Sequence, residues 1–118
     1  MNKEQKNLIF EKANSYAHAV YNLCKKLPKD ELYGITSQLG RASLSVPANM
    51  IEGYARMSKG YHKQFLLNSY GSLKESQYFL QFAAEESLLE HDAVKTVYII
   101  GDEVGAMLWS RIKTLEKT

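Results

Sequence analysis

Histidine, cysteine and carboxylate side chains are the groups with which a small protein holds metals or activates nucleophiles. In this chain they stand apart. His18, His62 and His91 are isolated from one another, and no glutamate is followed three residues later by a histidine. That spacing would set two metal ligands on one helix face, and neither it nor H-E-x-x-H nor C-x-x-C occurs. The sole cysteine, Cys24, has no histidine nearby in sequence to take its proton, so it reads as a packing thiol. The glycines form neither G-x-G-x-x-G nor the phosphate-cradling G-x-x-x-x-G-K-[ST] pattern. No catalytic residue, metal or cofactor is expected. The chain reads as a binding protein and not as an enzyme.

A second set of polar residues is ordered. Gln38, Arg41, Ser45, Asn49, Glu52 and Arg56 recur at a mean step of 3.6 residues, which puts all six on one face of a helix. If the next helix folds back through a turn near residues 58 and 59, Arg41 faces Glu75, Ser45 faces Ser72, and Asn49 faces Asn68 or Ser69. Two readings follow. The rows can form a partly buried network that fixes helix register, with Ala42, Ala48, Gly71 and Ser72 allowing close approach. Alternatively they line a groove or subunit contact, with Arg41 and Arg56 ready to hold phosphate or carboxylate. A third set is basic. Lys12, Lys25 and Lys26 in the first helix and Arg56, Lys59 and Lys63 around the expected turn are the candidates for nucleic-acid contact, against the reading of a solvated face.

These residues need helices to position them. Ile9, Ala13, Tyr16, Val20, Leu23 and Leu27 step by three or four, as one face of a helix requires, and Pro28 closes the segment. Asp30 and Glu31 suit the positive end of a second helix that runs to about residue 57. Tyr61, Phe65, Leu66, Tyr70, Leu73, Leu80 and Ala84 carry a third. Val97, Gly101, Val104, Leu108, Ile112 and Leu115 carry a fourth. Ser87 and Glu90 have capping-box spacing and mark its start, although a start nearer Asp92 also fits. The expected helices cover residues 4–27, 30–57, 60–86 and 90–115. Nothing alternates with period two over a useful length, so the class is all-α. Short connections then force an antiparallel up-and-down four-helix bundle. Pro47 inside the second helix removes a backbone donor and should kink or split it, with Ser45 as a possible new N-cap.

Bulk properties agree with one domain over residues 1–118. The 118 residues are 45% hydrophobic with 7 glycines and 2 prolines, enough for a core without metal or disulfide and without a linker. No signal-peptide pattern opens the chain and no apolar run approaches a membrane span, so the expected location is the cytoplasm. Net charge is only +2, well short of a dedicated nucleic-acid binder. Apolar and aromatic residues exceed one face on helices one, three and four. Phe10, Tyr21, Phe79, Phe82 and Trp109 are therefore the candidates for contacts between subunits.

The run E-L-Y-G-I-T-S-Q-L-G-R-A-S-L-S-V-P-A-N-M-I-E-G-Y-A-R from Glu31 to Arg56, followed by F-L-L-N-S-Y-G-S-L-K-E from Phe65 to Glu75, resembles a known family. This family is the bacterial four-helix-bundle proteins encoded by intervening sequences within 23S ribosomal RNA genes. S-V-P-A-N-M-I-E-G is similar to the family's S-I-P-A-N-I-A-E-G segment, and Gly71, Ser72 and Glu75 fall on its G-S-x-x-E pattern. Gly40 stands where relatives often have a second basic residue, and Ser69 where they often have alanine. The resemblance implies a bundle that assembles into a ring-like homopentamer, with nucleic-acid binding as its inferred role and no enzymatic activity. The accessory subunit of diversity-generating retroelements is similar to this family, pairs with a reverse transcriptase and binds nucleic acid. By that precedent the alternative role is a protein adaptor that recruits a partner enzyme.

Overall fold

The first helix, α1 (Lys3–Cys24), turns Ile9, Ala13, Tyr16, Val20 and Leu23 inward, the stripe that its periodicity implies. These coordinates form a computed structural model that describes residues 3–55 and 59–116. α1 stops three residues short of the expected end. The chain tightens into i to i−3 bonds, with the Lys26 N–H donating to Leu23 O at 2.9 Å and that of Leu27 to Cys24 O at 3.2 Å. Leu27 still reaches the core. Pro28 is extended, with φ −58° and ψ 147°, and Lys29–Glu31 forms a single 3-10 turn. Asp30 and Glu31 therefore lie within that turn, and α2 (Ile35–Ala55) begins five residues later than expected.

Pro47 lies buried inside α2, which runs through it as one helix. The split does not form, and Ser45 is no N-cap. Its carbonyl instead accepts the Asn49 side-chain amide at 2.7 Å, while the Val46 carbonyl accepts the Ser69 hydroxyl at 2.6 Å. Extra donors thus reach the carbonyls of the two residues just before the one that lacks an N–H. α3 (Lys59–Glu85) and α4 (His91–Glu116) complete the fold, and no strand forms among the described residues.

Helices adjacent in sequence pack on one another and α1 also packs on α4, whereas the diagonal pairs α1·α3 and α2·α4 do not meet through their backbones. The result is a square antiparallel bundle measuring 45 × 24 × 20 Å. Small residues set the closest approaches. A Cβ on Gly53 would lie 3.0 Å from that of Phe65, and one on Gly101 would lie 2.8 Å from Gln77 Nε2 and 2.9 Å from Tyr16 Cε1. Ala48 and Gly71 are exposed, and nothing stands within 4 Å of a Cβ built on Gly71. The close-approach role expected of those two belongs to Gly53 and Gly101. Among the described residues no helix is long and apolar enough to cross a membrane.

The junction between α3 and α4 corrects the capping-box reading. Ser87 holds φ at +60° and ends α3: its N–H donates to Ala84 O at 3.0 Å, and that of Leu88 donates to Ala83 O at 2.8 Å. This is the paired bonding of a Schellman terminus with serine where glycine is usual. α4 starts at His91, its first turn closed by the Val94 N–H on Glu90 O at 3.1 Å, with Asp92 in the positive first turn. An L-residue in the left-handed region costs roughly 1 to 2 kcal/mol, part of which glycine recovers. Ser87→Gly is expected to raise unfolding free energy by about 1 kcal/mol. Urea titration of both proteins measures it, and a glycine variant that unfolds at lower urea would refute this account of the junction.

Candidate functional site

On α2, Gln38, Arg41 and Glu52 are exposed and Ser45 and Asn49 half-buried. Helical geometry puts all five on the α3 side of the outer face. Across the seam on α3, Ser72 is half-buried and Glu75 exposed. The bonds of Arg41, Asn49 and Gln64 stay within their own helices. Arg41 Nη2 donates to Ser37 Oγ at 3.2 Å, Asn49 to the Ser45 carbonyl, and Gln64 Nε2 to Asn68 Oδ1 at 3.0 Å. Among the described residues no hydrogen bond or ion pair joins Gln38, Arg41, Ser45 or Asn49 to Ser72 or Glu75. The rows are a polar surface band. Arg56, expected to end the α2 row, lies outside the described residues.

The buried polar contacts lie elsewhere, and three of their side chains come from α3. Ser69, Ser76 and Gln77 are fully enclosed. Ser69 clamps α3 to the α2 backbone at Val46. Ser76 Oγ donates to Leu73 O at 2.7 Å and lies 2.6 Å from the Tyr16 hydroxyl. Since the serine proton is committed to the carbonyl, the tyrosine is the donor of that second bond. Gln77 Nε2 donates to Tyr98 O at 3.1 Å and to Asp102 Oδ1 at 3.0 Å, tying α3 to α4. The sequence did carry a signal for these groups, because positions 69, 76 and 77 fall on the face that carries Leu66, Leu73 and Leu80.

The six basic candidates do not make one patch. Lys25 and Lys26 follow the last turn of α1, whereas Lys59 and Lys63 begin α3, at the opposite end of the bundle's 45 Å axis. Lys12 is on α1, the helix diagonal to α3, and its Nζ sits 3.2 Å from Glu103 Oε2. Lys63 Nζ lies 3.7 Å from Glu116 Oε1, and Lys25 Nζ lies 4.9 Å from the Tyr21 ring centre. The side chain of Lys59, like all of Arg56, is outside the described residues. Lysines adjacent in a linear reading are thus divided between two ends because antiparallel helices reverse direction.

Some of the exposed apolar side chains are grouped. Tyr21, Leu44 and Ile51, each more than half exposed, occupy the outer side of the α1–α2 pair, and Leu44 shares a shallow cleft with Tyr21. On α3, Tyr78 is 60% and Phe82 40% exposed, with ring centres 6.3 Å apart. The polar band separates the two groups. Of the expected subunit contacts, Tyr21, Phe82 and Trp109 are exposed, while Phe10 and Phe79 are half-buried. Trp109 packs at 5.2 Å on Tyr70.

Ionisable groups in the interior are few. His18 and His91 are exposed, and His62 is half-buried, stacked 5.3 Å from Tyr54. Among the described residues no group of three or more His, Cys, Asp or Glu could hold a metal ion. Burial pushes the Cys24 thiol up, which leaves it less thiolate and less nucleophilic at neutral pH. Burial raises the Tyr54 phenol to about 12, against a lowering by the Arg111 charge.

Burial likewise pushes Tyr16 from 10.0 to about 12. An unfolded chain releases this proton first, so the stability it contributes is complete below pH 10 and is lost as pH rises toward 12. Tyr16→Phe should cost about 1 kcal/mol at neutral pH, because Ser76 keeps its carbonyl acceptor, and should flatten the alkaline loss. Far-UV circular dichroism during base titration reads this. Identical pH 10 to 12 profiles for the two proteins would contradict it.

A family model described as "23S rRNA-intervening sequence protein" matches residues 5–110. Among solved structures, the chain is similar to a crystal structure of a protein with unknown function from the S23 ribosomal protein family of Bacteroides thetaiotaomicron. The two are 21% identical, with 92% of this chain and 98% of that one covered and a TM-score of 0.86, which establishes the shared fold. No curated protein matches the chain.

Proposed function

The chain belongs to the family of 23S rRNA-intervening sequence proteins, and from that premise we propose that it is a non-enzymatic cytoplasmic protein that assembles into a ring and holds structured RNA. The observation that supports assembly is the pair of exposed apolar groups on different helices. A ring closes through head-to-tail contacts between two unlike surfaces, and Tyr21, Leu44 and Ile51 on one side with Tyr78 and Phe82 on the other supply them. The polar band lies between, where it keeps the two from merging into one sticky surface. The resemblance of the sequence gives the number as five.

Assembly is tested by light scattering. The wild type is expected at a multiple of 13.4 kDa, five by the family, and Leu44→Glu with Ile51→Glu is expected to release monomer without loss of helix, since both residues face outward. A wild-type chain that scatters as 13.4 kDa at micromolar concentration would remove the ring.

One subunit carries little excess charge, and Lys12 and Lys63 each already face an acid. RNA affinity then comes from repetition around the ring, with backbone and shape read in preference to base edges. The two ends of the bundle are separable in a gel-shift titration with structured ribosomal RNA. Lys25→Glu with Lys26→Glu alters one end and Lys63→Glu the other, and reversal at the contacting end is expected to weaken binding. Affinity should also fall with log salt at roughly 0.7 to 0.9 per phosphate neutralised. Absence of any shift at low salt, or binding by both variants equal to that of the wild type, would leave the second reading in front. That reading is an adaptor ring that recruits a partner enzyme such as a reverse transcriptase, and it is favoured by the exposed aromatics of α3, which suit a protein surface.

A further inference from the structure

A groove of about 510 Å³ opens along the seam of α1 and α4, on a side of the bundle used by neither apolar group of the assembly. Its size falls in the range of small-molecule sites. Leu8 and Ile9 form one wall, and Ala106, Met107 and Arg111 contribute to the other. Among the described residues of that lining, Arg111 is the charged one.

The state of Arg111 sets the chemistry. It is half-buried, its Nε is enclosed with no hydrogen-bond partner, and among the described residues it makes no ion pair. The acid at this end of α4, Glu116, is already shared by Lys63 and Lys113 at 3.7 and 3.5 Å. Thr114, also in the lining, donates its hydroxyl to the Ser110 carbonyl at 3.0 Å and so offers an anion no free proton. A guanidinium held partly out of water without a carboxylate is a poor resting arrangement, and an incoming anion improves it through charge-assisted bonds. Phosphate alone would leave the Leu8, Ile9 and Met107 surface wet. A hydrocarbon alone would leave the guanidinium unpaired.

We propose that this groove is a binding site for an amphipathic organic anion, a carboxylate carried on an unbranched apolar chain. The carboxylate pairs with Arg111. The chain lies along Leu8, Ile9 and Met107 and gains affinity from the apolar surface it covers.

The probe is decanoate below its micelle-forming concentration, titrated into the full-length protein in its solution assembly and followed by calorimetry and by the Met107 methyl resonance. One saturable site per chain is expected, with decanol weaker and Arg111→Gln weakened by about tenfold. Ala106→Phe, at an exposed position of α4, should block the groove and abolish binding while circular dichroism stays unchanged. It decides the case even if the arginine variant folds poorly. Decanol binding as tightly as decanoate would overturn the proposal, as would non-saturable uptake or undiminished binding by Ala106→Phe. A Met107 signal that moves with protein concentration and ignores decanoate would assign the groove to a contact between copies, and the proposal would fall.

Discussion

Tyr16 crosses the centre of the bundle. Its ring is fully enclosed on α1 and its hydroxyl reaches Ser76 on α3, the helix diagonally opposite, which no backbone contact joins to α1. A phenol buried at that depth must find an acceptor, because an unpaired hydroxyl in a dry interior costs more than the bond itself contributes. In this register of α1 against α3, Ser76 provides that acceptor. Gly101 leaves room for the ring from the α4 side, and Gln77 closes over the same spot with two bonds to α4. Ser69 then ties α3 to α2 beside Pro47. Apolar packing alone would tolerate sliding between helices, whereas these directional contacts do not.

With register fixed, the outer faces are fixed too. The square arrangement separates α1 from α3 on the surface, so each outward face belongs to a neighbouring pair of helices. The α1–α2 pair shows aliphatic and tyrosine side chains, the α2–α3 seam shows the polar band, the upper part of α3 shows aromatic rings, and the α1–α4 seam holds the groove. The two phenols raised by burial lie apart, Tyr16 on α1 against Ser76 and Tyr54 on α2 against His62.

Much of this was legible in the residues. The helical period of Ile9 to Leu27, of Leu66 to Ala84 and of Val97 to Ile112 marks helices and their inward faces, because burying a stripe needs apolar side chains every three or four positions and nothing else. The antiparallel order follows from connections too short to run back along the bundle. Even the approximate register of α2 against α3 emerges from numbering alone, as the Ser69 contact at Val46 bears out. The family segment around Ser45 to Gly53 is likewise a property of the sequence by itself.

Tertiary structure decided the rest. Periodicity gives the angle at which a residue leaves its helix, but not whether another helix covers it, so the polar row of α2 remains at the surface while Ser69, Ser76 and Gln77 are sealed inside. The capping-box spacing at Ser87 is compatible with the start of one helix and the end of another, and the φ of +60° chose the end. Lysines that look like one basic set became two because chain reversal sends Cys24 and Lys59 to opposite ends. Arg111 drew no notice in the sequence. Its character depends on Glu116 being engaged by two lysines, a competition for charge that exists only once α3 and α4 are side by side.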